Sequence, residues 1–219
     1  MSTGAGKISQ AISLAVATLA AGIMPAPLER DPARDEILRK MAAVAGEQGW
    51  GKTVLLQVAG PDADLLFPGG SAELVEAWFD LCDRDMLEAM WDTEEESRLS
   101  QRVRQALLYR LPVDEAVRSA TRKGLSVLLA PCEGKALRRS MMRTINAIWQ
   151  AAQDDSSGLT YVTKRLSLGG VYASVLLYWL ARGDNEATLA AFVDRRLADV
   201  LRFGRIKARM GGLPFMARA

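Results

Sequence analysis

Leu55-Leu56-Gln57-Val58-Ala59-Gly60-Pro61-Asp62-Ala63-Asp64-Leu65-Leu66-Phe67 is the stretch on which the fold turns. Gly60-Pro61 interrupts its apolar residues in the middle, as a tight turn between two helices requires. Upstream, Asp31-Pro32 reads as an N-cap followed by proline in the first helical position. A helix therefore starts there, presents Ile37, Met41, Val44 and Ala45 on one face, and ends near Gly49. A second short helix follows over Thr53 to Ala59, and a third, Asp62 to Phe67, stops at Pro68-Gly69-Gly70. Three short helices joined by glycine-containing turns have the layout of a helix-turn-helix.

Downstream the apolar period stays helical while the segments lengthen. Leu74, Trp78, Leu81 and Cys82 mark one helix; Val103, Leu107, Leu108 and Leu111 mark another, which ends before Pro112. Helices over Ala116 to Leu129, Leu137 to Ala152, Leu159 to Leu180 and Leu189 to Ile206 complete the chain, with no strand-like alternation between them. The predicted class is all-α: a degenerate helix-turn-helix followed by a helical ligand-binding bundle. The expected division is 1–28, 29–100 and 101–219. In the first part Ile8, Ile12, Ala15, Leu19 and Ile23 recur every three or four residues, which predicts an amphipathic helix up to Met24 rather than a signal or a membrane span.

Composition narrows the chemistry. The 219 residues contain no histidine, which removes Ser-His-Asp and Cys-His catalysis and every imidazole metal site. Cys82 and Cys132 stand fifty positions apart and form neither a redox pair nor a zinc knuckle; buried free thiols are expected. No cofactor loop or metal cluster is legible, so the expectation is a protein without enzymatic activity, cofactor or metal.

The net charge of +2 conceals an asymmetry. Residues 51–100 carry three cations against twelve carboxylates, a net of −9, and residues 101–219 carry +11. DNA readers need cations for the phosphates and donors for the base edges. Here Asp62, Ala63 and Asp64 occupy the recognition positions, so binding to nucleic acid is not expected. From Arg195 to Arg218 seven cations face one carboxylate, Asp199. Arg202, Arg205, Lys207 and Arg209 precede Leu213, Phe215 and Met216, a combination suited to an anionic bilayer surface. Peripheral attachment to the inner face of a membrane, from the cytoplasm, is the corresponding expectation.

The stretch Leu55–Phe67, continued by Pro68 to Leu74, resembles the signature of TetR-family regulators. In the second half, Ile148-Trp149-Gln150-Ala151-Ala152-Gln153-Asp154-Asp155-Ser156 with Thr163-Lys164-Arg165 resembles the hallmark region of the Coq-nine family. The likeness continues through Val171-Tyr172-Ala173-Ser174 and Phe192-Val193-Asp194-Arg195-Arg196, and extends over roughly residues 30 to 209. The family pattern departs at Gln153, Gly158 and Tyr161-Val162. The resemblance implies a TetR-like fold, a homodimer, an isoprenoid quinone or other lipid as ligand, and the di-iron hydroxylase of ubiquinone synthesis as partner.

Under that resemblance, Met141, Met142, Ile145, Trp149, Tyr172, Leu176 and Trp179 are the expected lipid-binding walls; from periodicity alone they read as an ordinary packed core. Asp154, Asp155, Tyr161, Lys164 and Arg165 combine a polar turn, an aromatic and two cations, and are the expected partner-binding surface. The reading is an accessory protein presenting a quinone intermediate to the hydroxylase. The rival is a TetR-type transcription regulator with a hydrophobic effector.

Overall fold

The computed structural model describes residues 25–91 and 98–210, apart from the side chains of 158, 159, 201 and 203–210. The expected helix at Ile8 to Met24 lies outside the described residues. Asp31 opens the first helix as its sequence predicts. Its carboxylate accepts the amides of Ala33 at 2.7 Å and Arg34 at 3.4 Å, satisfying two N–H groups that have no helical partner. This helix, α1 (Pro32–Gln48), stops at Gly49, and α2 (Lys52–Ala59) stops at Gly60. The two glycines take φ of 82° and 92°, values that a side chain would make costly.

The expected third helix over Asp62 to Phe67 is corrected by the structure to a single 3₁₀ turn, Ala63–Leu65. The reason is space along the chain. Pro61 on one side and Pro68-Gly69-Gly70 on the other leave room only for three-residue closures, such as Leu65 N–H to Asp62 O at 3.1 Å and Phe67 N–H to Asp64 O at 3.2 Å.

Long helices follow: α3 (Gly70–Ala89), α4 (Leu99–Arg110), α5 (Glu115–Leu128), α6 (Gly134–Ala151), α7 (Gly158–Arg182) and α8 (Glu186–Met210). Among the described residues there are eight α-helices and no strand. Asp114 caps α5 through the amides of Ala116 and Val117.

Two apolar cores share the interior. The first gathers Leu38, Met41, Trp50, Leu55, Phe67 and Trp78, with the Trp50 and Trp78 rings 5.8 Å apart. Trp50 also donates its indole N–H to Ala120 O at 2.9 Å, tying α5 to this core. The second gathers Leu107, Leu111, Ile148, Tyr172, Val175 and Trp179. The helix α3 serves both, placing Leu74 and Trp78 in the first and Met86 and Met90 in the second. The packing therefore has no seam at residue 100: α5 lies against α1, and α3 packs on α4 and α6.

Charged groups reinforce the joints. Arg110 on α4 donates to Asp83 on α3 at 2.5 Å, and Thr144 on α6 donates to the other oxygen at 2.9 Å, all three fully buried. Burial weighs on Asp83 strongly enough to push its carboxyl up to about 6, against the opposing pull of Arg110 and Thr144. Arg34 is likewise buried. It bonds Leu66 O, pairs with Glu73 at 2.8 Å and lies 4.4 Å from the centre of the Phe67 ring, fastening the 3₁₀ segment to α1 and α3. The cysteines are free, but Cys132 is exposed and Cys82 half-buried, so the expected pair of buried thiols is not found. The turn at Ala130–Glu133 puts Cys132 on the surface.

Candidate functional site

The helices of the second core pack tightly at one end and separate at the other. Where they separate, a cavity of about 520 Å³ opens between the start of α4, the end of α6, the first half of α7 and the middle of α8. Helical spacing brings its walls together. Leu99 and Val103 lie on one face of α4, Leu168 and Val171 on one face of α7, and Leu197 and Val200 on one face of α8. Trp149 closes the α6 side. Arg98, Ser100, Thr163, Lys164 and Ser167 form its polar edge.

Of the seven expected wall residues, only Trp149 lines this cavity. Ile145, Tyr172, Leu176 and Trp179 are buried in the filled part of the bundle, and Met141 and Met142 pack half-buried against it. Trp179 is further fixed by donating its indole N–H to Pro112 O at 2.8 Å. Large apolar side chains fill the space between helices; the gap lies where α4, α7 and α8 present valine, leucine and serine instead. Ser167 and Val171, flanking the larger Leu168 and the pair Gly169-Gly170, were the signal available in the sequence.

Asp154, Tyr161, Lys164 and Arg165 do meet, in a clamp that closes the α6–α7 turn. Gln153 takes a left-handed φ of 56°, and the chain folds back so that Asp154 N–H reaches Trp149 O at 3.0 Å. The Asp154 carboxylate is enclosed, accepts Lys164 at 2.5 Å and Ser156 at 2.5 Å, and has Arg165 at 3.9 Å. Burial opposes its charge, but the bonds from Lys164 and Ser156 and the charges of Lys164 and Arg165 outweigh that and hold the carboxyl below its ordinary range. Arg165 is buried, donates to Asn146 Oδ1 at 2.7 Å and stacks 3.2 Å from the centre of the Tyr161 ring. The aromatic expected to be exposed is half-covered, and only Asp155 of the five is fully exposed.

Lys164 belongs both to this clamp and to the cavity, where its ammonium lies 5.5 Å from the centre of the Trp149 ring. Arg202 is exposed on α8. The side chains of Arg205, Lys207 and Arg209, and all of Leu213, Phe215 and Met216, lie outside the described residues. No helix among the described residues is long and apolar enough to cross a membrane. Sequence reasoning passed over Trp91, which stands 85% exposed at the end of α3 beside a second recess lined by Leu87, Met90 and Ala151.

Residues 135–204 match the COQ9 family model, a region that spans nearly all of α6, all of α7 and most of α8. Every cavity-lining residue outside α4 and its cap Arg98 falls within it. Among solved structures, the chain is similar to the TetR transcriptional regulator from Nitrosomonas europaea ATCC 19718, with 22% identity and a TM-score of 0.59 over 78% of this chain and 99% of that one. The fold is thus TetR-like. No curated protein matches. The Coq-nine resemblance read from the sequence is matched by the family model over 135–204.

Proposed function

We propose that this chain is a non-enzymatic carrier of ubiquinone biosynthesis, which takes an isoprenoid quinone intermediate into the α4–α6–α7–α8 cavity and presents it to the di-iron hydroxylase. The observation that carries the reading is the apolar-walled space of about 520 Å³, lying mostly inside the COQ9-matching segment. Apolar walls with a few polar groups at one edge are what a lipid-derived ligand requires. Attachment to the inner face of an anionic membrane, through Arg202, Arg205, Lys207 and Arg209 with Leu213, Phe215 and Met216, gives the ligand its route in.

The homodimer is supported by Leu166 and Leu177, exposed at 63% and 68% on the outer side of α7. Three helical turns separate them, so they share one face. Docking of the hydroxylase falls to Asp155 and the uncovered edge of Tyr161, because Asp154 and Arg165 face inward. The carrier reading is tested by incubating the protein with vesicles containing a prenylated quinone and measuring quinone in the vesicle-free fraction. Transfer at a stoichiometry near one per chain supports it; no quinone above that carried by an unrelated helical protein would overturn it.

The rival reading, a transcription regulator, has the fold likeness in its favour. Against it, the recognition element is one 3₁₀ turn in a region of net −9, where a polyanion is repelled.

A further inference from the structure

The edge of the cavity has a chemical sign. Its polar side chains are two cations, Arg98 and Lys164, and three hydroxyls, Ser100, Thr163 and Ser167, with no carboxylate among the described lining residues. Leu99 and Ser100 belong to the first turn of the twelve-residue α4, so the positive end of that helix dipole also faces the space.

Lys164 is the member of this set free to change partners. Asp154 holds two cations, and without Lys164 its charge would still be met by Arg165 and by the Ser156 hydroxyl. Arg165 is fixed by Asn146 and Tyr161, whereas the Lys164 side chain is 30% exposed and already lines the cavity. Size adds a second limit. At about 30 Å³ per non-hydrogen atom, the share of a water molecule in the liquid, 520 Å³ holds on the order of 17 such atoms. That is a head group with a short length of chain, so a longer tail has to leave through the opening.

We infer that the cavity selects an amphiphile with an anionic oxygen head, the carboxylate or phenolate that a carboxylated or reduced precursor of the neutral quinone presents, seated against Lys164 with its first carbons along Leu168 and Val171. This rests on the cavity being a lipid site. The test is calorimetric titration of the full chain with dodecanoate and with 1-dodecanol, two probes of equal chain length that differ in head charge. Dodecanoate is expected to bind about tenfold more tightly, the scale of one charge-assisted hydrogen bond. Lys164→Met should bring the ratio of dodecanoate to 1-dodecanol affinity close to one, and Lys164→Arg should keep the preference. Ser167→Trp, at an exposed position on the cavity edge, should block both probes.

Equal affinities for the two probes, no dodecanoate binding, or a preference that survives Lys164→Met would overturn the inference. If the probes bind equally and Ser167→Trp blocks both, head selection fails and the lipid cavity stands. If Ser167→Trp blocks neither, the cavity reading fails with it.

Discussion

The segment that would enter a DNA groove and the segment that encloses the cavity stand at opposite ends of one design. Around Asp62–Phe67 the charged groups are paired within the chain: Arg34 binds Leu66 O and Glu73, Lys52 pairs with Asp64 at 2.5 Å, Phe67 is buried, and the recess beside them, lined by Lys52, Asp64, Phe67 and Leu74, is about 270 Å³. Around Leu168–Val171 the structure is open, with apolar walls not filled by their neighbours. The proposed binding site keeps apolar walls apart, whereas the scaffold region pairs its charged side chains with one another. The fold is TetR-like, and the proposed binding chemistry lies in the other half of the chain.

The largest expected effect lies at the joint of the two regions. Arg110→Ala leaves the buried Asp83 carboxylate without its cation and should destabilise the chain by about 3–5 kcal/mol. Urea unfolding followed by tryptophan fluorescence and by circular dichroism should then shift together, since Asp83, Arg110 and Thr144 link α3, α4 and α6. A shift in only one probe would mean that the regions unfold separately.

Next in size is Arg34→Ala, which removes the fastening of the 3₁₀ segment at a cost of about 1–3 kcal/mol. Amide exchange should quicken at Leu65 to Phe67 and remain unchanged at Val171 to Val175. Uniform acceleration would show that the segment is not separately held.

The Asp154 clamp gives a pH-dependent contrast. Its carboxyl is held below the ordinary 3.8, so the stability it contributes is present above that pH and is lost as pH falls through it toward the depressed folded value. Asp154→Asn should lower Tm clearly at pH 7 and progressively less below pH 3.8. A Tm deficit independent of pH would assign the effect to packing rather than charge.

The smallest expected effect belongs to the scaffold surface. Leu65 is 76% exposed, and Leu65→Lys should leave stability within about 0.5 kcal/mol of the parent. Gel shifts at submicromolar protein should detect no sequence-selective DNA complex for either form. A selective, salt-sensitive complex would restore the regulator reading.

What the sequence disclosed and what it withheld follow from locality. The cap at Asp31 and the stops at Gly49 and Gly60 were legible because each depends on two or three adjacent residues. The 3₁₀ turn was misread as a helix because composition favours a helix over Asp62 to Phe67, while the prolines and glycines at its two ends limit its length. The cavity walls were only partly legible. Period identifies the inward face of α7, but Tyr172 and Trp179 share that inward side with Leu168 and Val171, and period gives no depth. The clamp was legible as a cluster, but not its inward direction, because Asp154 and Lys164 meet only through the left-handed turn at Gln153.

The central claim is that binding resides in the cavity and not in the former recognition segment. Native mass spectrometry of the purified protein, with extraction of any bound lipid, tests it on a matched pair of variants. Val200→Trp fills the α8 wall, and Leu65→Trp adds the same bulk to the 3₁₀ turn. Loss of the lipid adduct from Val200→Trp, with an unchanged adduct on Leu65→Trp, is the predicted result; an adduct retained by the first or lost from the second would contradict the account.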